Sequence, residues 1–241
     1  MFKRFHPARL VWALALLLAA CGAQRIRHAT PQIAGESAPA AISASTARIY
    51  RIDANESELR ILVYRGGPLA RFGHNHVMVN RAISGSVNFG EQASASAFQL
   101  DVPAAGFVVD DPQARREEGP DFSGEIPDDA KSGTLRNMLS AALLDADEFP
   151  TMTVKSVAAS GALDPSGAGA LIATVAISIA GHESTIDVPF TLASGPDRLS
   201  ASGSLEVRQS ALGLTPFSLM LGALQVQDVL TIKFQIVASR T

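Results

Sequence analysis

Two histidines that lie two positions apart are the residues of this sequence best able to do chemistry. His74, Asn75 and His76 lie within "FGHNHVMVN" (72 to 80), whose apolar alternation predicts a β-strand. Side chains at i and i+2 of a strand project from the same face, so both imidazoles would share one side of a sheet. There they could ligate a metal ion or haem, or hydrogen-bond a bound molecule from the wall of a barrel.

A metal site would need further ligands, for which His182 or a carboxylate such as Asp53 or Asp187 is available. The single cysteine, Cys21, lies outside the predicted folded domain, which excludes cysteine-based zinc sites and Cys/His catalysis there. No G-x-S-x-G surrounds a serine, and Gly167-Ala168-Gly169 lacks the residues of a phosphate loop. We therefore expect a non-enzymatic protein without a metal or cofactor, and a histidine-based metal or haem redox module is the alternative.

The N-terminus has the pattern of an export signal. An apolar run, 10 to 18, follows three basic residues and has about half the length of a membrane-spanning helix. The tetrapeptide that ends at Cys21, "LAAC", resembles a bacterial lipobox. This resemblance implies a signal peptide over 1 to 20, lipidation of Cys21 and a periplasm-facing lipoprotein of the cell envelope, and Gly22 favours the outer membrane. The alternative is an ordinary signal peptide that is cleaved near Ala20.

Charge excludes nucleic acid as a partner. Removal of residues 1 to 20 leaves 17 basic against 23 acidic residues, a net charge of −6, which would repel a phosphate backbone. Residues 21 to 46 are rich in Ala, Ser and Pro without an apolar period, which is typical of a flexible tether. The remaining residues, 47 to 241, have the length of one domain.

That domain is predicted to be all-β. Ten segments alternate with period two and are separated by Gly, Pro, Asn and Asp, which favours an antiparallel barrel or sandwich because parallel strands would need helical crossovers. The predicted strands are 47–53, 58–64, 74–80, 82–89, 96–102, 151–160, 169–180, 184–192, 198–207 and 228–237. Apolar residues at helical spacing predict one short helix over 134–145, which would cap or cover an end of the barrel. The charged segment before it, 109–133, is predicted to be a long exposed loop.

Several segments in the same order resemble the YceI-like family. They are "YRID" (50–53), "SELRILVYRGGPLARFGHNHVM" (57–78), "ISGSVNF" (83–89), "LDADEFPTMTVKS" (144–156), "ATVAISIAGHESTIDVPFTL" (173–192) and "VRQSALGL" (207–214). The sequence departs from the family in the acidic segment 109–133, where only Thr134-Leu135-Arg136 matches, and at Gln209, where an arginine is usual.

The resemblance implies a lipocalin-like antiparallel barrel of about eight strands with a long isoprenoid or comparable amphiphile in its lumen. A barrel of that size can hold one slender ligand, and its burial is favourable by about 25 cal/mol per Å² of apolar surface. The histidines would then meet the polar head group. The expected lipid-binding residues are Phe72, His74, His76, Met78, Phe89, Phe98, Leu100, Leu135, Met138, Leu139, Phe149, Phe190, Phe217, Met220 and Phe234. A barrel filled by its own side chains, acting as an envelope scaffold, stays an alternative, and association of two barrels into a homodimer stays open.

Overall fold

Strands make up most of the chain that the structure, a computed structural model, describes, which is residues 48–240. The strands are β1 (Arg48–Ile52), β2 (Glu58–Val63), β3 (Arg65–Gly66), β4 (His76–Asn80), β5 (Ser84–Phe89), β6 (Ala97–Pro103), β7 (Phe107–Val109), β8 (Thr151–Gly161), β9 (Ala168–Ile179), β10 (His182–Ser194), β11 (Arg198–Arg208), β12 (Ser218–Leu219), β13 (Leu224–Val226) and β14 (Val229–Arg240). The α-helices are α1 (Pro112–Glu117) and α2 (Asp128–Leu139).

Eight strands close into an antiparallel barrel, as the sequence predicted. Their order around the barrel is β1, β5, β6, β8, β9, β10, β11 and β14, and β14 pairs with β1 to complete the circle. The same edge of β14 also pairs with β2, which continues through β4 to β7 at one end of the barrel. A separate three-stranded sheet has the order β12-β13-β3. In the sequence, β3 follows β2, and β12 and β13 precede β14.

Buried polar side chains hydrogen-bond to the backbone at two of the connections between strands. Between β1 and β2, Ser57 Oγ accepts a hydrogen bond from Val237 N–H at 3.0 Å and donates one to the carbonyl of the same residue at 3.3 Å. Between β4 and β5, Asn80 donates to the carbonyl of Pro103 at 2.8 Å and accepts from Ala82 N–H at 2.9 Å. The long strands can therefore bend without leaving these buried backbone groups unpaired.

Alternation along the long strands separates a lumen from an outer wall. In β9, residues 171, 173, 175, 177 and 179 are apolar and line the interior, whereas Thr174 and Ser178 lie on the other face. Thr174 donates a hydrogen bond of 2.6 Å to Asp187 of β10 there. The polar outer wall and the apolar lumen follow from the period of two.

The segment between β7 and β8 differs from its prediction. It was expected to be an exposed loop over 109–133 followed by a helix over 134–145, but it contains α1, buries Phe122 and Ile126, and begins α2 at Asp128. Helix α2 ends at Leu139, after which backbone hydrogen bonds such as Ala146 N–H to Leu139 O form a turn instead of helix. No helix within residues 48–240 is long and apolar enough to span a membrane. The predicted signal peptide and tether, 1–20 and 21–46, lie outside the described residues.

Candidate functional site: an apolar cavity with a polar mouth

The barrel encloses an elongated cavity of about 460 Å³. Its wall includes five alternate residues of β9, from Leu171 to Ile179, a span of about 26 Å along the strand at ~3.3 Å per residue. Side chains from β5, β6, β8, β10, β11 and β14 complete the wall, and most of them are aliphatic. Cavities of this volume are typical of small-molecule sites, and this wall suits an apolar chain.

Polar and exposed residues mark the place where the cavity reaches solvent. Among the lining residues that the structure describes, four are exposed: Arg65, His74, Asn137 and Gln225. We call the opening between these four residues the mouth. Helix α2 contributes Asn137 to it, and the small sheet contributes Arg65 and Gln225. The cavity therefore has a polar entrance at one end and an aliphatic interior.

His76 lies just inside the mouth and is oriented by a buried carboxylate. Its Nδ1–H donates a hydrogen bond of 2.6 Å to Oδ2 of Asp110, whose side chain is fully buried. The other ring nitrogen, Nε2, is 3.4 Å from the hydroxyl of Thr134 on α2. The hydrogen bond to the carboxylate keeps the proton on Nδ1 and fixes the orientation of the ring. Nε2 is then the nitrogen that a molecule in the cavity can contact.

Asp110 is itself held by two elements, β4 and α1. Its Oδ1 accepts hydrogen bonds from Val77 N–H of β4 at 2.9 Å and from Arg115 of α1 at 2.5 Å. Arg115 is buried and also donates to the carbonyls of Asn75 and Gly124. Burial by itself would raise the pKa of Asp110, but the hydrogen bonds from His76, Val77 and Arg115 hold this pKa below its ordinary value. The residue is therefore an ionised carboxylate at neutral pH.

The local sequence explains why Asp110 can occupy this position. It has a φ of +56°, a left-handed conformation that aspartate adopts more readily than most residues. The next residue, Asp111, caps α1 by accepting hydrogen bonds from the backbone N–H groups of Gln113 and Ala114, with Pro112 at the first helical position. The turn and cap together direct Arg115 back onto Asp110.

His74 and His76 do not form the same-face strand pair that the sequence suggested. Strand β4 begins only at His76, so His74 precedes the strand and is exposed at the mouth. The centroids of the two imidazole rings are 6.1 Å apart, and the ring planes are at 68° to each other. His182 begins β10, is exposed and packs against Gly213. Within residues 48–240, no three His, Cys, Asp or Glu side chains are gathered as a metal site requires. The geometry of the described residues thus gives no support to the metal alternative.

Ten of the expected lipid-binding residues line the cavity. They are His74, His76, Met78, Phe89, Phe98, Leu100, Met138, Phe190, Phe217 and Phe234. The other five lie elsewhere: Leu135 and Leu139 pack into the core around α2, Phe149 packs on Gly181, and Phe72 and Met220 are exposed on the surface. Helical periodicity placed Leu135, Met138 and Leu139 on one inner face, but only Met138 of these lines the cavity, and α2 adds Thr134 and Asn137.

Sequence reasoning missed the mouth residues Arg65, Asn137 and Gln225, and it missed three buried polar residues near the cavity. Asp110 and Arg115 fell within the segment expected to be a loop, although the Asp-Pro pair at 111–112 is a recognisable helix start that would have placed Arg115 on a helix. Gln209 lines the cavity, is buried and donates to the carbonyl of Gln227 at 2.8 Å. The feature that could have identified Gln209 is its position in the YceI-like pattern, where an arginine is usual.

Comparison with known proteins agrees with this architecture. The crystal structure of BcnA from Burkholderia cenocepacia superposes with a TM-score of 0.56 at 19% identity, covering 78% of this chain and 99% of that one. A polyisoprenoid binding domain from Saccharophagus degradans superposes with a TM-score of 0.54 at 11% identity, covering 80% and 98%. No curated protein matches the chain significantly in sequence. The model of the YceI-like domain matches residues 50–238, and the chain is therefore a member of the YceI-like family.

Proposed function

We propose that the protein binds one long-chain isoprenoid, or an amphiphile of similar shape, inside its barrel and does not transform it. The observation that carries this proposal is the cavity, whose elongated wall is aliphatic and whose polar residues are concentrated near one end. A hydrocarbon chain removed from water there would gain about 25 cal/mol per Å² of buried apolar surface. The structural similarity to a polyisoprenoid binding domain supports the same class of ligand.

The head group would lie at the mouth, near His76. The Nε2 atom, with Nδ1–H committed to Asp110, can accept a hydrogen bond from a hydroxyl group, and an imidazolium could donate one to a phosphate or quinone oxygen. Arg65, His74 and Gln225 offer further polar atoms around the entrance. A single polar end and a long apolar interior fit an amphiphile better than a compact polar metabolite.

The proposal is tested by narrowing the cavity in the full chain. Ala173 of β9 is buried and lines the cavity, so that A173F would place a ring where the ligand chain should lie. Ala170 lies on the exposed face of the same strand, and A170F is the matched control. We expect A173F to lose at least tenfold in affinity for octaprenol, and A170F to bind like the unaltered chain.

Two further measurements keep this test decisive. Circular dichroism identifies a variant that fails to fold, and in that case A201F narrows the same cavity from β11. Organic extraction and mass spectrometry of protein from its native host should recover about one isoprenoid per chain. Protein that is clean after purification and that takes up no octaprenyl compound would contradict the proposal.

We also propose that the protein is a periplasm-facing lipoprotein of the outer membrane, anchored through Cys21, because of its N-terminal sequence. The mass of the mature chain tests this directly. Cleavage before Cys21 with an added diacylglyceryl and acyl group is the expected result, and C21S should abolish the modification. A mature chain with an unmodified thiol would contradict the anchor, and native mass spectrometry would show at once whether two barrels associate.

A further inference from the structure

A cluster of exposed apolar side chains borders the mouth. Phe72 follows the Arg65–Gly66 strand. Leu219 ends β12, and Met220 and Leu221 lie in the connection from β12 to β13; we call these four residues the apolar tip. Leu221 is fully exposed, Met220 is 74% exposed and Phe72 is 64% exposed. Exposed apolar residues of this size are uncommon when they are contiguous, and such patches mark surfaces that meet a partner or a membrane.

The two turns that carry the tip are joined to each other. The N–H of Leu69 donates to the carbonyl of Ala223 at 2.8 Å, and β3 pairs with β13. Gly67 lies so close to the other turn that a Cβ on it would be 2.5 Å from the carbonyl oxygen of Gly222. The apolar side chains of both turns are therefore parts of one surface and not of two independent loops.

The backbone holds the most exposed side chains in an unfavourable conformation. Met220 and Leu221 have φ values of +50° and +56°, and two successive large residues in the left-handed region are strained. Glycine or asparagine would relieve that strain, yet the sequence places two long apolar residues there. Strained residues that persist in a structure are common at binding sites.

The two segments that carry the tip are basic, whereas the domain as a whole is acidic. Residues 48–240 contain 15 basic and 22 acidic residues, a net charge of −7, whereas segments 65–74 and 214–227 contain two arginines and no acidic residue. Both arginines, Arg65 and Arg71, are exposed, and the guanidinium of Arg71 lies 4.5 Å from the centre of the Phe72 ring. The neighbouring Asp228 is already engaged by the backbone N–H and hydroxyl of Ser210.

We propose that the apolar tip and its two arginines dock the mouth of the barrel onto an anionic phospholipid surface. The apolar side chains would enter the region between head groups and acyl chains, and the arginines would contact lipid phosphates. Docking in this orientation presents the cavity to the bilayer, so that a ligand chain can pass between them with little exposure to water. The docking surface shares Arg65 with the mouth, but its apolar side chains and Arg71 are not part of the cavity wall, and the proposal does not depend on the identity of the ligand.

The test uses an environment-sensitive NBD label on the full chain. Cys21 is the only cysteine, so C21S removes both the competing thiol and the lipidation site. L221C then carries the label at the tip, and V157C carries it on the barrel wall, where Val157 is as exposed as Phe72. The N-terminal region is identical in the two labelled chains, so that any binding through it affects both alike.

We expect the label at 221 to brighten at least twofold and shift to the blue with phosphatidylglycerol vesicles, and to change much less with pure phosphatidylcholine. The label at 157 should not change, and the R65Q/R71Q double variant should remove the preference for anionic vesicles. An unchanged signal at 221, or equal changes at 221 and 157, overturns the proposal. Because the vesicles contain no isoprenoid, failure here is distinct from failure of octaprenol binding.

Discussion

The imidazole of His76 and the carboxylate of Asp110 are joined by a hydrogen bond of 2.6 Å, although they are 34 residues apart in the sequence. This contact couples the inner wall of the cavity to the buried turn between β7 and α1. A change in one residue should therefore be measurable in the behaviour of the other.

Replacement of Asp110 should destabilise the fold strongly. D110A removes the partner of the buried Arg115, and breaking a buried ion pair in this way costs about 3–5 kcal/mol. D110N should be milder because asparagine also tolerates a positive φ. Urea unfolding at pH 7 measures both variants, and a loss below 1 kcal/mol in D110A would contradict the role we assign to the carboxylate.

Asp110 should also contribute to acid sensitivity. Its folded-state pKa lies below the ordinary value of 3.8, so its stabilising effect is present above that value and is lost as the pH falls through the folded-state pKa. The free energy of unfolding should therefore fall below about pH 4, and D110N should show a shallower decline over the same range. Parallel curves for the two chains would be inconsistent with this linkage.

His76 should affect head-group recognition more than the binding of hydrocarbon. H76L removes the hydrogen bond to the head group, worth about 0.5–1.5 kcal/mol, together with the one to Asp110, and should weaken octaprenol binding by about 2- to 12-fold. Binding of a hydrocarbon of equal length without a hydroxyl group should change little. H182L is the control because His182 lies on the outer side against Gly213. Equal weakening by both variants would show that His76 does not meet the head group.

Ser57 should contribute to stability through the backbone of β14. S57A leaves the N–H of Val237 without its partner in the buried gap between β1 and β2, at a cost of about 1–3 kcal/mol. Ser204 is exposed on β11, and S204A should change the free energy of unfolding by no more than about 0.5 kcal/mol. Urea unfolding measures the free energy of unfolding of both variants. Equal values for S57A and S204A would show that water replaces the hydroxyl of Ser57.

Two adjacent glutamates should differ in their effect on stability. Glu118 is almost fully buried between Arg60 and Lys233, whereas Glu117 bonds the same arginine from an exposed position. E118Q weakens two charge-assisted hydrogen bonds and should cost about 1–3 kcal/mol. E117Q should leave the urea midpoint unchanged. A larger effect from E117Q would mean that burial does not decide the strength of this network.

The barrel could be predicted because the sequence signals for each strand lie within that strand and its turns. Each of the ten long strands has its own alternation and its own turn residues, and all ten are present within a few residues of their expected bounds. The short strands, such as β12 with two residues, are too brief to show a period. Helix α2 was placed six residues too late because it begins with two exposed aspartates, Asp128 and Asp129, before its apolar spacing starts.

The site was less predictable because its contacts are distant in sequence. His76 was recognised by residue type, but its partner Asp110 lies in a segment whose charge is typical of a surface loop. Nothing in the sequence distinguishes a buried, paired Arg115 from the exposed Arg116 beside it. Likewise, the inner or outer position of Phe72 depends on the turn in which it lies and not on its apolar character.

The closing contact between β1 and β14 has a consequence for how the chain folds. Tyr50 pairs with Arg240, so the first and last described strands must find each other across nearly the whole domain. Contacts of such long sequence separation form slowly. Until β14 is in place the other seven strands form an open, curved sheet, so the apolar inner face stays accessible along one whole side while the chain folds.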